Sequence, residues 1–322
     1  MTDSPIISEI ELSIIAPMFN EEDNVELLLS TIKDTMRLFS GNWEILFIND
    51  GSEDNTFEIA KKLEKQYETL SVISYKTNRG RGYALRKGFD NANGRYIVSI
   101  DSDLSYHPDH ILLMYSEMKS DNSLDVVIGS PLLAGGKIIG VPIFRVLIAK
   151  ISNKFFNIFH PKNITASTGI LRCYKNEVIT SLELKSDDKE IHLEILSKLQ
   201  MLNYTIKEIP ATIIGRKRGK SSFHLSKFII SHLKFSFFER PAIIFLLFSL
   251  LSIFSGIVFA SKLILDFFEG DLNSQRPLIY ATIVLLLAGL QLLIFGILAI
   301  QTMELRSEII TIQKQNRDIL KK

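Results

Sequence analysis

Residues 12–24 read LSIIAPMFNEEDN, an apolar run of strand character that ends in a cluster of acids and amides. The pattern recurs twice, in WEILFINDGSEDNT at 43–56 and RYIVSIDSDLSYHPD at 95–109. Between these runs the spacing turns helical. Val25, Leu28, Leu29 and Ile32 share one face of a helix expected over Asp23–Phe39. Helices are also expected over 54–67 and 82–92, with a strand at 70–76 between them. Strands apolar almost throughout, alternating with helices, imply a mostly parallel sheet covered on both faces, hence an α/β fold. In such sheets the carboxyl ends of the strands form the ligand crevice, so acids there converge from distant points in the chain. Capping or turn closure explains one acidic turn; it is a poor explanation for three. Beyond this region a strand is expected at 125–130, helices over Phe144–Phe159 and Glu190–Met201, and a strand over 204–213 broken near Pro210.

After Gly215 the composition changes. Residues 241–261 and 277–303 contain no charged side chain. At about 1.5 Å per helical residue, each can span a hydrocarbon core of about 30 Å. The chain therefore divides into an extension at 1–11, a soluble domain at 12–223, a juxtamembrane segment at 224–240, spans at 241–265 and 277–303, and a tail at 304–322. The segment HLSKFIISHLKFSFFER at 224–240 mixes Phe and Ile with Lys and His, as an interfacial helix would. Residues 216–240 carry seven Lys or Arg against Glu239 alone, whereas the connector at 266–276 carries three acids and Arg276. The positive-inside tendency then places the domain and tail in the cytoplasm, in an integral protein of the cell membrane. The tail reads either as an amphipathic helix supporting a homo-oligomer or as a frayed polar terminus.

With 37 Lys and Arg against 36 Asp and Glu, the formal charge of +1 gives no reason to expect a nucleic-acid partner. The single cysteine, Cys173, excludes an intrachain disulfide framework and a cysteine-based zinc site. Met1 to Glu11 lack a basic-then-apolar start, so a cleaved signal peptide is not expected.

The sharpest local signal is the pair Asp101 and Asp103, just past an apolar strand. A divalent cation on a nucleotide diphosphate takes carboxylate oxygens and leaves positions for phosphate and water. Taken with SIIAPMFNEEDNV at 13–25, INDGSEDNT at 48–56, TNRGRGYALRKGF at 77–89 and IDSDLSYHP at 100–108, the chain resembles the family 2 glycosyltransferases of the GT-A fold. The branch it resembles loads sugars onto polyprenyl or dolichyl phosphate and carries two C-terminal transmembrane helices.

The resemblance implies a nucleotide-sugar donor, UDP- or GDP-linked, a polyprenyl or dolichyl phosphate acceptor, and Mg²⁺ or Mn²⁺. It places Pro17, Phe19 and Glu21 at the base and ribose, Asp50 on base or ribose, Asp101 on nucleotide or sugar, and Asp103 on the metal with Asp101 beside it. Arg79, Arg81 and Arg86 become candidates for phosphate contacts, each also readable as a solvated surface charge. GSPLLAGGKIIGVPIFRVLIAK at 129–150 resembles the acceptor loop. Arg145 matches its second arginine, Pro131 replaces the first, and Lys137 is the candidate to compensate.

STGILRCYKNEV at 167–178 matches through Thr168, Gly169 and Arg172, the last a candidate for acceptor phosphate, while the usual preceding acid is Ala166. Glu194 matches an acid in the helix before the IKEIP strand, and Arg216, with Arg218 and Lys220 nearby, matches a basic loop over donor phosphates in which Ser222 replaces the last lysine. The implied reaction is attack of a lipid-phosphate oxygen on the anomeric carbon with inversion, with Asp101, Asp103, Arg145 and Arg216 as its principal groups. His107 and His110 are expected to shape the loop before Pro108 and the helix after it. Two other readings are a transferase acting on a different membrane acceptor and an inactive GT-A membrane scaffold.

Overall fold

The computed structural model describes residues 9–159, 164–215, 241–269 and 276–320. They fall in two compact units, an α/β domain and a pair of long apolar helices.

The α/β domain opens with β1 (Leu12–Met18), α1 (Val25–Met36), β2 (Trp43–Asp50), α2 (Thr56–Glu64), β3 (Leu70–Tyr75), α3 (Arg81–Asn91) and β4 (Tyr96–Ser99). These are the elements expected from periodicity, with ends trimmed by a few residues. In α1 the face Val25, Leu28, Leu29, Ile32 and Met36 is buried, which is what its spacing requires. The chain continues through α4 (Asp109–Ser120), β5 (Val126–Ser130), β6 (Lys137–Ile139), α5 (Ile143–Phe159), β7 (Arg172–Lys175), α6 (Asn176–Ser181), α7 (Ile191–Met201), β8 (Ile206–Pro210) and β9 (Thr212–Ile214).

Seven strands form one sheet in the order β3-β2-β1-β4-β7-β5-β8. All pair in parallel except β7, which runs antiparallel between β4 and β5. Sequence periodicity does not mark β7, because four residues are too few to carry a repeat. The expected strand at 204–213 is two strands. β8 ends at Pro210 in the large sheet, and β9 pairs in parallel with β6 in a separate two-stranded sheet. β8 is an edge strand, where a proline is tolerated, and Pro210 closes it before the chain joins the other sheet.

The second unit contains α8 (Pro241–Glu269) and α9 (Arg276–Leu320), the latter as far as Gln315. Both contain stretches long and apolar enough to cross a membrane, over Ile244–Phe268 and Pro277–Gln313. Two hydroxyls join the helices: Ser249 Oγ donates to the Gly289 carbonyl and Ser252 Oγ to the Leu285 carbonyl, each at 2.8 Å. Gly289 is required by close approach, since a Cβ there would sit 2.5 Å from Ile253 Cγ1. The tail is helical to Leu320, so of its two sequence readings the helical one describes its backbone.

Candidate active site

The sheet order turns back between β1 and β4. The chain steps outward through β2 and β3, then returns to the other side of β1. Such a switch point opens a crevice at the carboxyl ends of the strands. The ends of β1, β2 and β4 bring Pro17, Phe19, Glu21, Asp50, Asp101 and Asp103 to that one edge.

The acids after β1 and β2 are largely occupied with each other's backbone. Asn20 has φ of 55°; its N–H donates to Ser52 Oγ at 3.0 Å and its Oδ1 accepts from the Glu53 N–H at 2.8 Å. The Glu22 carboxylate accepts from both the backbone and the side-chain amide of Asn55. Asp54 accepts from the Glu22 N–H at 3.3 Å and the Thr56 N–H at 3.0 Å. Glu21, 9% exposed, accepts from the Asn24 side-chain amide at 2.7 Å, and its own N–H donates to Thr56 Oγ1 at 2.8 Å. Glu21 thus braces the entry to α1 at the crevice rim. Phe19, by contrast, leaves 37% of its surface exposed.

Asp50 is buried at the end of β2 and receives the Arg79 and Gly80 N–H groups at 2.8 and 2.9 Å, one on each oxygen. Burial raises its pKa despite those two donors. The carboxylate therefore shapes the 79–80 turn as well as lining the crevice.

A segment that sequence reading passed over closes the far side of this turn. The Tyr83 N–H donates to the Asp187 carbonyl at 3.0 Å, and Arg86 binds the Leu184 carbonyl at 3.1 Å and the Asp187 carboxylate. Arg79 lies 3.7 Å over the Tyr83 ring and 4.0 Å from Asp187. Gly80, at φ +95°, and Gly82 admit this backbone, since a Cβ on either would meet a carbonyl of 186–188 at 2.5 Å. The same segment is clamped from α7. Glu194 accepts the Lys185 and Ser186 N–H groups and pairs with Lys198 Nζ at 2.6 Å. Burial alone would raise the Glu194 pKa; Lys198 and Ser186 outweigh it and hold the carboxyl below the usual range. SDDKE at 186–190 reads as a solvated charge run, and the only sequence clue to its placement is the glycine pair it packs against.

Past β4, Asp101 pairs with Arg81 at 3.2 Å, and Asp103 accepts the Ser105 N–H at 3.0 Å. Lys189 lies near both Arg81 and Asp101, and burial followed by the Arg81 charge lowers its pKa. Two carboxylates two residues apart offer hard oxygen donors. Among the described residues no three His, Cys, Asp or Glu side chains cluster as a closed cage. That donor set fits a Mg²⁺ or Mn²⁺ ion whose remaining positions are filled by nucleotide phosphates and water.

The small sheet abuts this loop. Tyr106 bridges Ile213, and the Ile214 N–H donates to the Ser105 carbonyl at 2.8 Å. The exposed Lys137 opens β6, and the exposed Arg145 lies in the first turn of α5. His107 accepts from the Asp109 N–H at 3.3 Å, in the loop it was expected to shape, whereas His110 Nε2 accepts from the Thr212 N–H at 3.1 Å and so ties α4 to β9.

Arg172 stands apart from the other candidates. It is fully buried, and its guanidinium donates to the Ser167 carbonyl at 2.6 Å and the His192 carbonyl at 3.1 Å. In this arrangement it holds the 166–169 turn and presents no surface to an acceptor phosphate. At Ala166, where an acid is usual, the backbone N–H is received instead by Glu208 at 2.9 Å. Arg216, Arg218, Lys220, Ser222 and the 224–240 segment lie outside the described residues.

A mostly parallel α/β sheet with acids gathered at its switch point defines a GT-A type of domain. Residues 13–177 match the sequence profile of glycosyl transferase family 2, and the chain belongs to that family. It is 32% identical over 213 residues to a dolichol-phosphate mannosyltransferase of Pyrococcus furiosus, the match covering 66% of this chain and 58% of that protein. It is 28% identical over 318 residues to the dodecaprenyl-phosphate galacturonate synthase of Rhizobium johnstonii, covering 92% of this chain and 89% of the relative. Among solved structures, the glucosyl-3-phosphoglycerate synthase of Mycobacterium tuberculosis in complex with UDP aligns with a TM-score of 0.53 at 17% identity, over 70% of this chain and 80% of that one. The same enzyme with Mn²⁺, UDP and phosphoglyceric acid gives 0.54 at 19% identity, over 70% and 77%. These likenesses establish the fold.

Proposed function

We propose that the protein is a membrane-inserted, metal-dependent inverting glycosyltransferase that moves a sugar from a UDP- or GDP-linked donor to polyprenyl or dolichyl phosphate. The observation that carries this reading is the Asp101–Asp103 pair at the switch point of a family 2 chain that continues into two helices of membrane-spanning length. Relatives named for dolichol-phosphate and dodecaprenyl-phosphate products support the acceptor class, and Mn²⁺ with UDP in a protein of the same fold supports the metal.

Phe19 offers a ring for a nucleobase to stack on, beside Pro17 and Glu21. Asp50 accepts from ribose hydroxyls or a base N–H, since an ionised carboxylate only accepts. Arg79 and Arg216 neutralise the donor phosphates, and Lys137 and Arg145 hold the acceptor phosphate. Asp103, with Asp101, would hold the Mg²⁺ or Mn²⁺ ion, which supplies charge neutralisation to the departing diphosphate. An acceptor phosphate oxygen forms the new bond to the anomeric carbon as the bond to the nucleotide diphosphate breaks. The phosphate is already anionic near neutral pH. It needs no strong base from the protein, so the chain's work is alignment and electrostatic complementarity. Arg172 is left to hold the turn beneath this site.

The basic cluster at 216–240 and the acidic connector favour a cytoplasmic domain and tail. Purified protein offered UDP- and GDP-sugars with Mg²⁺ or Mn²⁺ and polyprenyl phosphate should yield a glycosylated lipid phosphate detectable by mass. Transfer to a diacylglycerol or glycan but not to the lipid phosphate would overturn the acceptor assignment.

A further inference from the structure

Helix α5 is amphipathic in the wrong sense for a helix on a water-facing surface. Its inward side is polar. Asn153 is buried, its side-chain amide donates to the Thr165 carbonyl, and its Oδ1 accepts from the Ser167 N–H at 3.1 Å. One turn on, the Asn157 side chain donates to the Ile164 carbonyl at 2.9 Å and accepts from the Ile164 N–H at 3.0 Å. The outward side is apolar. Ile143, Phe144, Leu147 and Ile151 are 86%, 55%, 53% and 59% exposed. At 3.6 residues per turn these positions fall within about a third of the helix circumference. Ile139, exposed at the end of β6, comes just before them in the chain. A single exposed leucine needs no explanation, whereas a contiguous face of large apolar side chains marks a surface that something covers.

The charges on and around this face say what covers it. Lys150 and Lys154 are exposed on the same side of α5, and Lys137 and Arg145 are exposed just before and within its first turn. No Asp or Glu occurs between Asp125 and Glu177. Lysine is depleted at protein–protein interfaces. At a lipid surface it is accommodated, because its stem lies along the acyl boundary while its ammonium reaches the phosphates. The acceptor assigned above points the same way. The tail of a polyprenyl phosphate stays in hydrocarbon, so its phosphate is offered at the bilayer surface, and Arg145 has to meet it there.

We propose that α5 is an interfacial helix. It lays Ile143, Phe144, Leu147 and Ile151 into the boundary between headgroups and acyl chains of an anionic bilayer, with Lys150 and Lys154 on lipid phosphates. This contact is additional to the basic segment at 216–240, and it holds the acceptor end of the α/β domain at the depth where a lipid phosphate lies. The inference rests on the membrane insertion and the acceptor class proposed above, and its test needs no sugar transfer.

Single cysteines at Phe144, Leu147 and Ile151, with the exposed Glu68 and Asp121 as controls, are labelled in the full chain with an environment-sensitive fluorophore, the buried Cys173 being left in place. The protein is reconstituted into phosphatidylcholine vesicles with and without phosphatidylglycerol. Emission is quenched either by a lipid spin-labelled at a shallow acyl position or by aqueous iodide. Relative to the controls, the α5 labels should be quenched by the lipid and shielded from iodide. Lys150→Gln and Lys154→Gln should each lower the ratio of docked to undocked label about fivefold in anionic vesicles, the weight of one basic residue at such a surface. Neither should matter in phosphatidylcholine alone. Labels on α5 as open to iodide as the controls overturn the docking. Labels shielded from iodide yet untouched by the spin-labelled lipid reveal a protein partner, a second copy or residues 224–240, and overturn lipid as the occupant. Quenching indifferent to phosphatidylglycerol and to both substitutions overturns the role given to the lysines. Protein released by a carbonate wash overturns the insertion and the docking with it, whereas absent sugar transfer with quenching intact overturns the acceptor assignment alone.

Discussion

The loops after β1 and β2 and the loop after β4 are built from the same acids and small polar residues, yet they use their carboxylates in opposite ways. In the first two, Glu22 and Asp54 are met by backbone N–H groups across a gap of more than thirty residues, so two distant loops hold each other in place. Past β4, Asp101 is met by a mobile type of partner, the Arg81 side chain, and sits at the crevice edge with 18% of its side chain exposed. The contrast shows that an acid-rich turn at a sheet edge declares its role through what donates to it. Donors from the opposite loop make Glu22 and Asp54 part of the scaffold, the Arg81 side chain is a partner Asp101 can exchange for a ligand, and Asp50 and Asp103 take backbone donors while also lining the crevice.

Substitutions on the two sides should separate these roles. Asp101→Ala should lower the rate of sugar transfer by about 100-fold to 1,000-fold, the scale seen when a group that stabilises developing charge is removed, while thermal unfolding stays close to that of the parent. Glu194→Ala should do the reverse and cost about 3 kcal/mol of stability, because it leaves the buried Lys198 without its carboxylate. Chemical denaturation of the two variants checks both statements. Equal destabilisation by Asp101→Ala would erase the distinction between site and scaffold.

Gly82→Ala tests the turn shared by both regions. The Cβ would press on the Ser186 and Asp188 carbonyls, and an overpacking cost of about 1–3 kcal/mol is expected, with weaker nucleotide binding by calorimetry as the 186–188 backbone shifts. Glu22→Ala should cost about 1 kcal/mol, typical of a lost cap or loop hydrogen bond, and leave transfer within a few-fold of the parent.

Acid should act through the scaffold first. The folded-state pKa of Glu194 lies below the ordinary glutamate value, so its contribution to stability is complete above about pH 4.3 and is lost as pH falls through the lowered folded value. Glu194→Gln should therefore flatten the acid limb of a stability-against-pH curve. An unchanged limb would remove Glu194 from the set of groups that set acid stability.

The strong periodic signals were legible. Strands β1 to β5 and helices α1 to α3 follow from apolar runs and helical spacing, and the two apolar helices from uncharged length. The gathering of Asp50, Asp101 and Asp103 at one edge follows from the parallel order those runs imply. Other features depend on contacts between segments remote in the chain and left no local pattern. Strand β7 is too short to show a period, and its antiparallel direction is set by its pairing with β4 and β5, which no local pattern records. The 183–190 segment is polar and reads as surface, although Gly80 and Gly82 give up their side chains to admit it. Arg172 sits in a motif that resembles an acceptor site, yet it is surrounded by carbonyls and buried, an environment that only tertiary packing reveals.

Cation-dependent transfer by Asp103→Ala tests the central claim most directly. Sugar transfer from a nucleotide donor to polyprenyl phosphate is followed by product mass across a titration of Mg²⁺ and Mn²⁺, for parent and variant at matched fold. The expected result is saturable, cation-dependent product formation by the parent and its loss in the variant at every concentration. Undiminished transfer by Asp103→Ala with the same cation dependence as the parent would contradict the assignment of the site.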